Sequence, residues 1–220
     1  MSSKPQNRSV IAEELGGDRE LALLHIPSRL RAAFGALFAI DAAMGDVVAR
    51  SADPALARIK LAWWREQLEA LDSSPPPAEP RLSAVAEHLL PAGIRGGDVA
   101  KLEAGWSTLL DAEVDSELVA GRGAALFHIG GKLLGSNDPK LGDAGALYAL
   151  GSVARRGVPA LLEPAGEALT RLRGHRFERR ARPLTMLARA ASRDIDKQEP
   201  EGSRGRAAAM LAHRWSGRIG

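Results

Sequence analysis

Leu30, Phe34, Leu37, Met44 and Val48 fall at helical spacing, and Asp53-Pro54 follows almost at once. Steps of three, four and seven residues place side chains on one line of a helix, whereas a strand would need strict alternation. An aspartate before a proline closes that pattern. The carboxylate can cap a new helix, and proline's fixed φ suits the first helical position. Ser28 to about Arg50 therefore predicts one long helix capped by Ser28, and Asp53 to about Leu71 predicts a second. The second is apolar on a wide face: Leu56, Ile59, Leu61, Trp63, Trp64, Leu68 and Leu71. Two consecutive helices with such faces need other helices to cover them.

The rest of the chain repeats this punctuation. Val10 to Leu15 reads as a short helix stopped by Gly16-Gly17, and Asp18 can cap another that ends before Pro27. SSPPPAEP, residues 73–80, cannot be helical and reads as an exposed connector. Further helices are predicted at about Leu82–Leu90, from an Asp98 cap through Leu110, and at Val114–Leu134. A loop at 136–143 precedes Ala144–Arg155, Pro159–Arg171, Pro183–Arg193 and Arg204–Trp215. Neither a strand pattern nor an internal repeat is present. Alanine, leucine, arginine and glutamate are abundant and isoleucine, tyrosine and threonine scarce, which also favours helix. The expectation is all-α: one bundle-like domain over 1–220, long enough to fill a single core.

Composition removes several classes. The chain has no cysteine, so disulfides, thiolate catalysis and cysteine-ligated zinc are excluded. A net charge of +3 with a pI near 9.6 does not predict a nucleic-acid binder, which needs a concentrated basic face. MSSKPQNRSV lacks the apolar core of a secretory signal, and no apolar run is read as approaching the ~20 residues of a membrane span. A cytoplasmic protein is expected, with peripheral membrane contact open and no transmembrane segment.

The stretch IDAAMGDVV, Ile40 to Val48, carries two aspartates inside the long helix. Residues five apart lie about 140° apart around a helix axis, so Asp41 and Asp46 do not face one metal ion. Carboxylates sharing Mg²⁺ would need a spacing of three or four. Asp41 falls within the apolar stripe, where a carboxylate must be paired, hydrogen-bonded or protonated. Asp46 continues a row of small residues, Gly35, Ala39 and Ala42, which can pack closely or line a cavity. The plain reading pairs Asp41 with a core arginine and leaves Asp46 on the surface.

From Leu30 to Leu71 the sequence resembles the squalene/phytoene synthase family, whose members have an all-α isoprenoid-synthase fold. Ala36-Leu37-Phe38-Ala39-Ile40 is similar to the family's aromatic-containing ALYAF turn. The family's D-D-x-x-D motif then falls on Gly45, Asp46, Val47, Val48 and Ala49, and only Asp46 survives. The arginine that usually precedes the motif falls on Ala42. A second motif, G-x-A-x-Q-L-T-N-I-L-R-D-x-x-x-D, resembles Gly145 to Ala160 in outline. Gly145, Leu150 and Arg155 match, while the two aspartates fall on Arg156 and Ala160. LFHIGGKLLG, Leu126 to Gly135, stands where the family has its AG-x-VG helix. The chain is also shorter than typical synthases of the family.

In the family both clusters hold Mg²⁺, which binds the substrate diphosphate and lets an allylic cation form. One aspartate cannot replace two clusters, and an arginine at 156 would bind phosphate but repel Mg²⁺. The resemblance therefore implies a degenerate member without a metal site or catalytic residues. Asp41, Asp46, Arg155 and Arg156 are its candidate substrate-binding residues, and Asp46 is the one surviving metal candidate. The family includes such degenerate members, among them a mitochondrial assembly factor for respiratory complex I, and the WWRE segment resembles that branch. No cofactor is expected; a prenyl lipid, a prenyl diphosphate or a protein partner is. The alternative is an active Mg²⁺-dependent head-to-head prenyltransferase that uses Asp41, Asp46 and a remote acid such as Glu113 or Asp115.

Three other features remain. Trp63 and Trp64 point about 100° apart on a helix, so one is expected in the core and the other over a seam. RLRGHRFERRAR, Arg171 to Arg182, holds six arginines and one glutamate. It reads either as a solvated helix end or as a patch for anionic lipid heads or a diphosphate. Of the five histidines, His128 is the one expected to be buried.

Overall fold

The computed structural model describes residues 17–197 and 199–219. The helix expected at Val10–Leu15 lies outside them. The helices are α1 (Gly17–His25), α2 (Arg31–Arg50), α3 (Pro54–Ala70), α4 (Pro80–His88), α5 (Gly96–Ala100), α6 (Leu102–Ser107), α7 (Ser116–Leu134), α8 (Leu141–Arg155), α9 (Leu162–Arg171), α10 (Arg182–Asp196) and α11 (Arg204–Ser216). Among the described residues there is no strand. The fold is all-α, consistent with an isoprenoid-synthase-like bundle.

α7 and α8 form the central hairpin, joined by a short loop in which Gly135 takes the left-handed conformation that ends α7. The two helices touch through bare backbone. A Cβ placed on Gly123 would run into the Gly145 carbonyl, and one on Gly145 into that of Gly123. α8 also packs on α9 and α10, and α10 on α11 and α1. α2 crosses the other face of α7: a Cβ on Gly130 would press on the Phe34 ring, and Asp41 bonds to Arg122 two turns away. The core between them is aliphatic and aromatic, with Phe34, Leu37, Phe38, Ile40, Met44 and Phe127 buried.

Several helix starts differ from the sequence reading, and at α5 and α1 a longer-range bond is the reason. Asp53 does cap α3, accepting from the amides of Ala55 at 2.8 Å and Leu56 at 3.4 Å. Ser28 opens a 3₁₀ turn, Ser28–Leu30, and caps nothing. Asp98 lies inside α5, whose first amides, Gly96 and Gly97, are capped by Asp72 from across the chain at 2.7 and 3.1 Å. The helix expected through Leu110 is broken into α5, α6 and a 3₁₀ turn, Thr108–Leu110. Asp18 turns inward instead of capping α1. The segment 28–50 is, by length and composition, apolar enough to cross a membrane, its most apolar 18-residue window having a mean hydropathy of 1.6. In this fold 61% of that window is buried inside the protein, with a charged aspartate at its middle, as in a core helix.

The expected buried histidine is also a different one. His128 is exposed, while His213 on α11 is 1% exposed. His213 Nδ1 lies 2.9 Å from the Arg218 carbonyl and Nε2 2.8 Å from the Thr185 hydroxyl. The carbonyl can only accept, so Nδ1 carries the proton and Nε2 takes the hydroxyl's. Burial, despite the Arg218 carbonyl and with Arg182, Arg189 and Arg214 nearby, lowers the His213 pKa to about 4. The unfolded chain then binds the extra proton first, so stability is full above the ordinary histidine pKa and declines as pH falls from about 6.5 towards 4.

Two outcomes follow. Urea midpoints should fall across that window by an amount worth up to about 3 kcal/mol, and His213→Gln should flatten the slope. Gly145→Ala, which forces the α7–α8 backbones apart, should destabilise the protein by about 1–3 kcal/mol in the same assay.

Candidate functional site

Asp41 is the centre of the molecule. It is 0% exposed, and three elements reach it. Arg19 of α1 donates through Nη2 to Oδ2; Arg122 of α7 donates through Nη1 to Oδ1 at 2.7 Å; Trp106 of α6 donates its indole N–H to Oδ1 at 2.9 Å. Arg19 also donates to the Tyr148 hydroxyl at 2.7 Å and to the Phe38 carbonyl at 3.1 Å. The Arg122 guanidinium lies over the Trp106 ring at 3.9 Å, which offers its negative face to the nitrogens that lack a hydrogen-bond partner. Burial alone would raise the Asp41 pKa, but Arg122 and Arg19 outweigh it and hold the carboxyl far below its usual range.

The neighbouring residue on α1 feeds a second network. Asp18, about 100° further round the helix, accepts from Arg206 at 2.7 Å and from the Gly202 amide at 3.2 Å. Arg206 also donates to Asp194, which Arg155 approaches at 3.3 Å. Arg155 is bound to Glu201 at 2.9 Å, and Arg156 lies 3.9 Å from the same carboxylate. Burial raises the Asp194 pKa in spite of Arg206 and Arg155. The two arginines proposed for substrate are therefore engaged with this chain's own carboxylates.

Asp46 stands apart, half-exposed, 3.4 Å from Arg50 one turn on. It lines an open cleft of about 310 Å³ with Arg50, Ser51, Lys60, Trp64 and Arg81. Trp64 is nearly buried there, while Trp63 beside it is 40% exposed. The structure thus does not bring Asp41 and Asp46 together. It takes Asp41 out of reach of any ligand, with both oxygens bonded, and surrounds Asp46 with three cationic side chains. This donor set does not fit Mg²⁺, which needs converging oxygens and would be repelled by the arginines and lysine. Of the remote acids, Asp115 caps α7 through the amides of Glu117 and Leu118, and Glu113 is exposed.

A second opening, a groove of about 400 Å³, lies between α5 and α7. It is lined by Ile94, Ala124, Ala125 and Ile129 together with His128, Lys132 and the ion pair of Lys101 with Asp98 at 2.8 Å.

Sequence reasoning missed Arg19, Trp106, Arg122 and Tyr148. Arg122 had a signal: it is the one permanent charge between Glu117 and Lys132 on an otherwise apolar helix. Arg19, inside the charged run DRE, had none.

Residues 16–114, just under half of the chain, match the model of the squalene/phytoene synthase family. That stretch includes α1 to α6, and so three of the groups that meet at the centre: Arg19, Asp41 and Trp106. No curated protein and no solved structure matches the chain.

Asp41→Asn leaves two buried guanidiniums without their counter-charge and should cost about 3–5 kcal/mol of stability. Asp46→Asn, at a solvent-screened pair, should cost under about 1 kcal/mol. Chemical denaturation of both variants at neutral pH checks this. Because the folded pKa of Asp41 is depressed, its contribution is present above the ordinary carboxylate pKa of about 4 and is lost as pH falls further. The difference between wild type and Asp41→Asn should shrink accordingly.

Proposed function

We propose that this protein is a non-catalytic squalene/phytoene synthase-like scaffold of the assembly-factor type, and that its work is to hold a partner rather than to form a carbon–carbon bond. The observation that carries this reading is the setting of Asp46, the one aspartate left at the motif. It stands among Arg50, Lys60 and Arg81, which would repel a metal ion. Asp41, the other acid of this helix segment, has both oxygens bonded by Arg19, Arg122 and Trp106.

The exterior supports the same reading. Leu56, Ile59 and Trp63 stand at i, i+3 and i+7 along α3, 45, 67 and 40% exposed. A ridge of three large apolar side chains costs solubility and is a feature of contact surfaces. A filled centre with an exposed apolar ridge is what a scaffold needs, and the WWRE segment beside that ridge is similar to the degenerate branch.

A prenyl-lipid role for the same scaffold finds support in the groove between α5 and α7, largely apolar and bordered by Lys132 and the Lys101–Asp98 pair. An active Mg²⁺-dependent prenyltransferase finds less. It would have to free Asp41 from two arginines and move a second carboxylate to it, because Asp46 lies elsewhere on α2 among cations.

The deciding experiment incubates purified protein with farnesyl or geranylgeranyl diphosphate and Mg²⁺ and follows diphosphate release, with Asp46→Ala alongside. The expected result is no Mg²⁺-dependent release from protein that is folded and helical by circular dichroism. Release that needs Mg²⁺ and disappears in Asp46→Ala would make the protein an enzyme with an unusual metal site.

A further inference from the structure

The arginine-rich stretch, Arg171 to Arg182, is used by neither network, and the fold gives it a companion that its sequence does not contain. The end of α11 is laced to it. Arg182 donates to the Trp215 carbonyl at 2.7 Å and to the Phe177 carbonyl at 3.0 Å; Arg176 donates to the Ser216 carbonyl at 3.0 Å; the Phe177 amide donates to the Gly217 carbonyl at 2.9 Å. The last carbonyls of α11 thus receive guanidiniums, the favourable sign for a helix C-terminus. Beyond α11, the Ile219 carbonyl is held by Arg189 at 2.8 Å and its side chain is buried. The loop and the helix end form one fixed surface.

That surface has an excess of cations. Arg173, Arg176, Arg179, Arg180 and Arg218 are exposed and Arg214 half-exposed. Among the described residues none of them is ion-paired with a carboxylate; Arg171 is, with Asp143 at 2.8 Å. The acids on this side are fewer: Glu178, exposed and accepting from the Ser136 hydroxyl at 3.2 Å, and the buried Asp138, which binds His175 at 2.8 Å and the Glu178 amide at 3.2 Å. Burial, then Arg176, Arg179 and Arg214, lower the Arg182 pKa, a sign that the cations crowd one another.

The same surface carries apolar groups. Trp215 is 83% exposed, and Leu211, one turn earlier on α11, is 40% exposed. The adjoining end of α1, where His25 is close enough to Arg214 to have its pKa lowered, after burial, by that charge, adds Leu24 at 67%. An indole and two leucines set among unpaired arginines suit an anionic bilayer. The side chains enter the headgroup layer while the guanidiniums stay with the phosphates. A single-stranded nucleic acid would need a row of aromatic platforms, and this face offers one exposed ring beside two aliphatic side chains.

We propose that the end of α11 and the arginine loop 172–181 form a docking face for an anionic membrane surface, with Trp215 as the inserted anchor. The proposal does not depend on whether the core is catalytic.

The test is sedimentation of the full chain with phosphatidylcholine vesicles, with and without phosphatidylserine. Binding is expected to require phosphatidylserine and to weaken with salt. Arg179→Gln with Arg218→Gln should lower the partition at least tenfold, since each basic residue near such a surface contributes about fivefold. Trp215→Ala should lower it roughly tenfold or more through lost apolar insertion. Far-UV circular dichroism confirms that these surface variants fold. Equal binding to neutral vesicles, no effect of either variant, or tighter binding to a single-stranded oligonucleotide or an acidic peptide than to the anionic vesicles would each overturn the proposal.

Discussion

The bonding of Asp41 to Arg19 and Arg122 is the constraint around which the bundle is organised. The consecutive helices α1 and α2 and the distant α7 each bring one member, and α6 adds the Trp106 indole. Ions removed from water are costly, and a buried pair contributes little unless its remaining hydrogen-bonding capacity is met. Here both carboxylate oxygens are bonded, by two guanidiniums and an indole N–H. The surplus charge is dispersed over the Trp106 face and the Tyr148 hydroxyl. Such a network specifies one arrangement of the helices, because a shifted register would bury an unpaired charge.

α1 acts as a clip because adjacent residues point to different sides. Arg19 reaches inward to α2, and Asp18 reaches Arg206 on α11, through which Asp194 on α10 and Arg155 on α8 join. Nine residues thus tie the half of the chain that matches the squalene/phytoene synthase family to the half that does not. The electrostatic cost of this arrangement bears on function. Asp41, Asp18 and Asp194 are held in ion pairs inside the bundle, and Arg155 and Arg156 are paired with Asp194 and Glu201.

With the interior committed, the surface becomes the place where chemistry remains available. The apolar ridge of α3, the lysine-bordered groove between α5 and α7 and the arginine-rich end of α11 lie on different elements. They present different combinations of apolar area and charge. A fold can keep its architecture while its function moves to such sites, because packing constrains the core far more tightly than the exterior.

The sequence by itself determined the helical class, most helix positions and the burial of Asp41. These depend on spacing and local chemistry: an apolar stripe at helical period, Asp53 before Pro54, and a carboxylate within the stripe. Local signals also fixed that Trp63 and Trp64 could not share one environment. Only the tertiary structure decided which groups satisfy Asp41, because a charged run such as Asp18-Arg19-Glu20 looks like a solvated helix end until its neighbours are known. The same holds for Asp72 capping α5 in place of Asp98, and for His213 rather than His128 entering the core. It holds too for Trp215, which stands far along the chain from the arginines it accompanies. In each case the deciding contact joins residues distant in sequence. Periodicity tells which face of a helix turns inward, but the partner it meets there is set by how the helices pack.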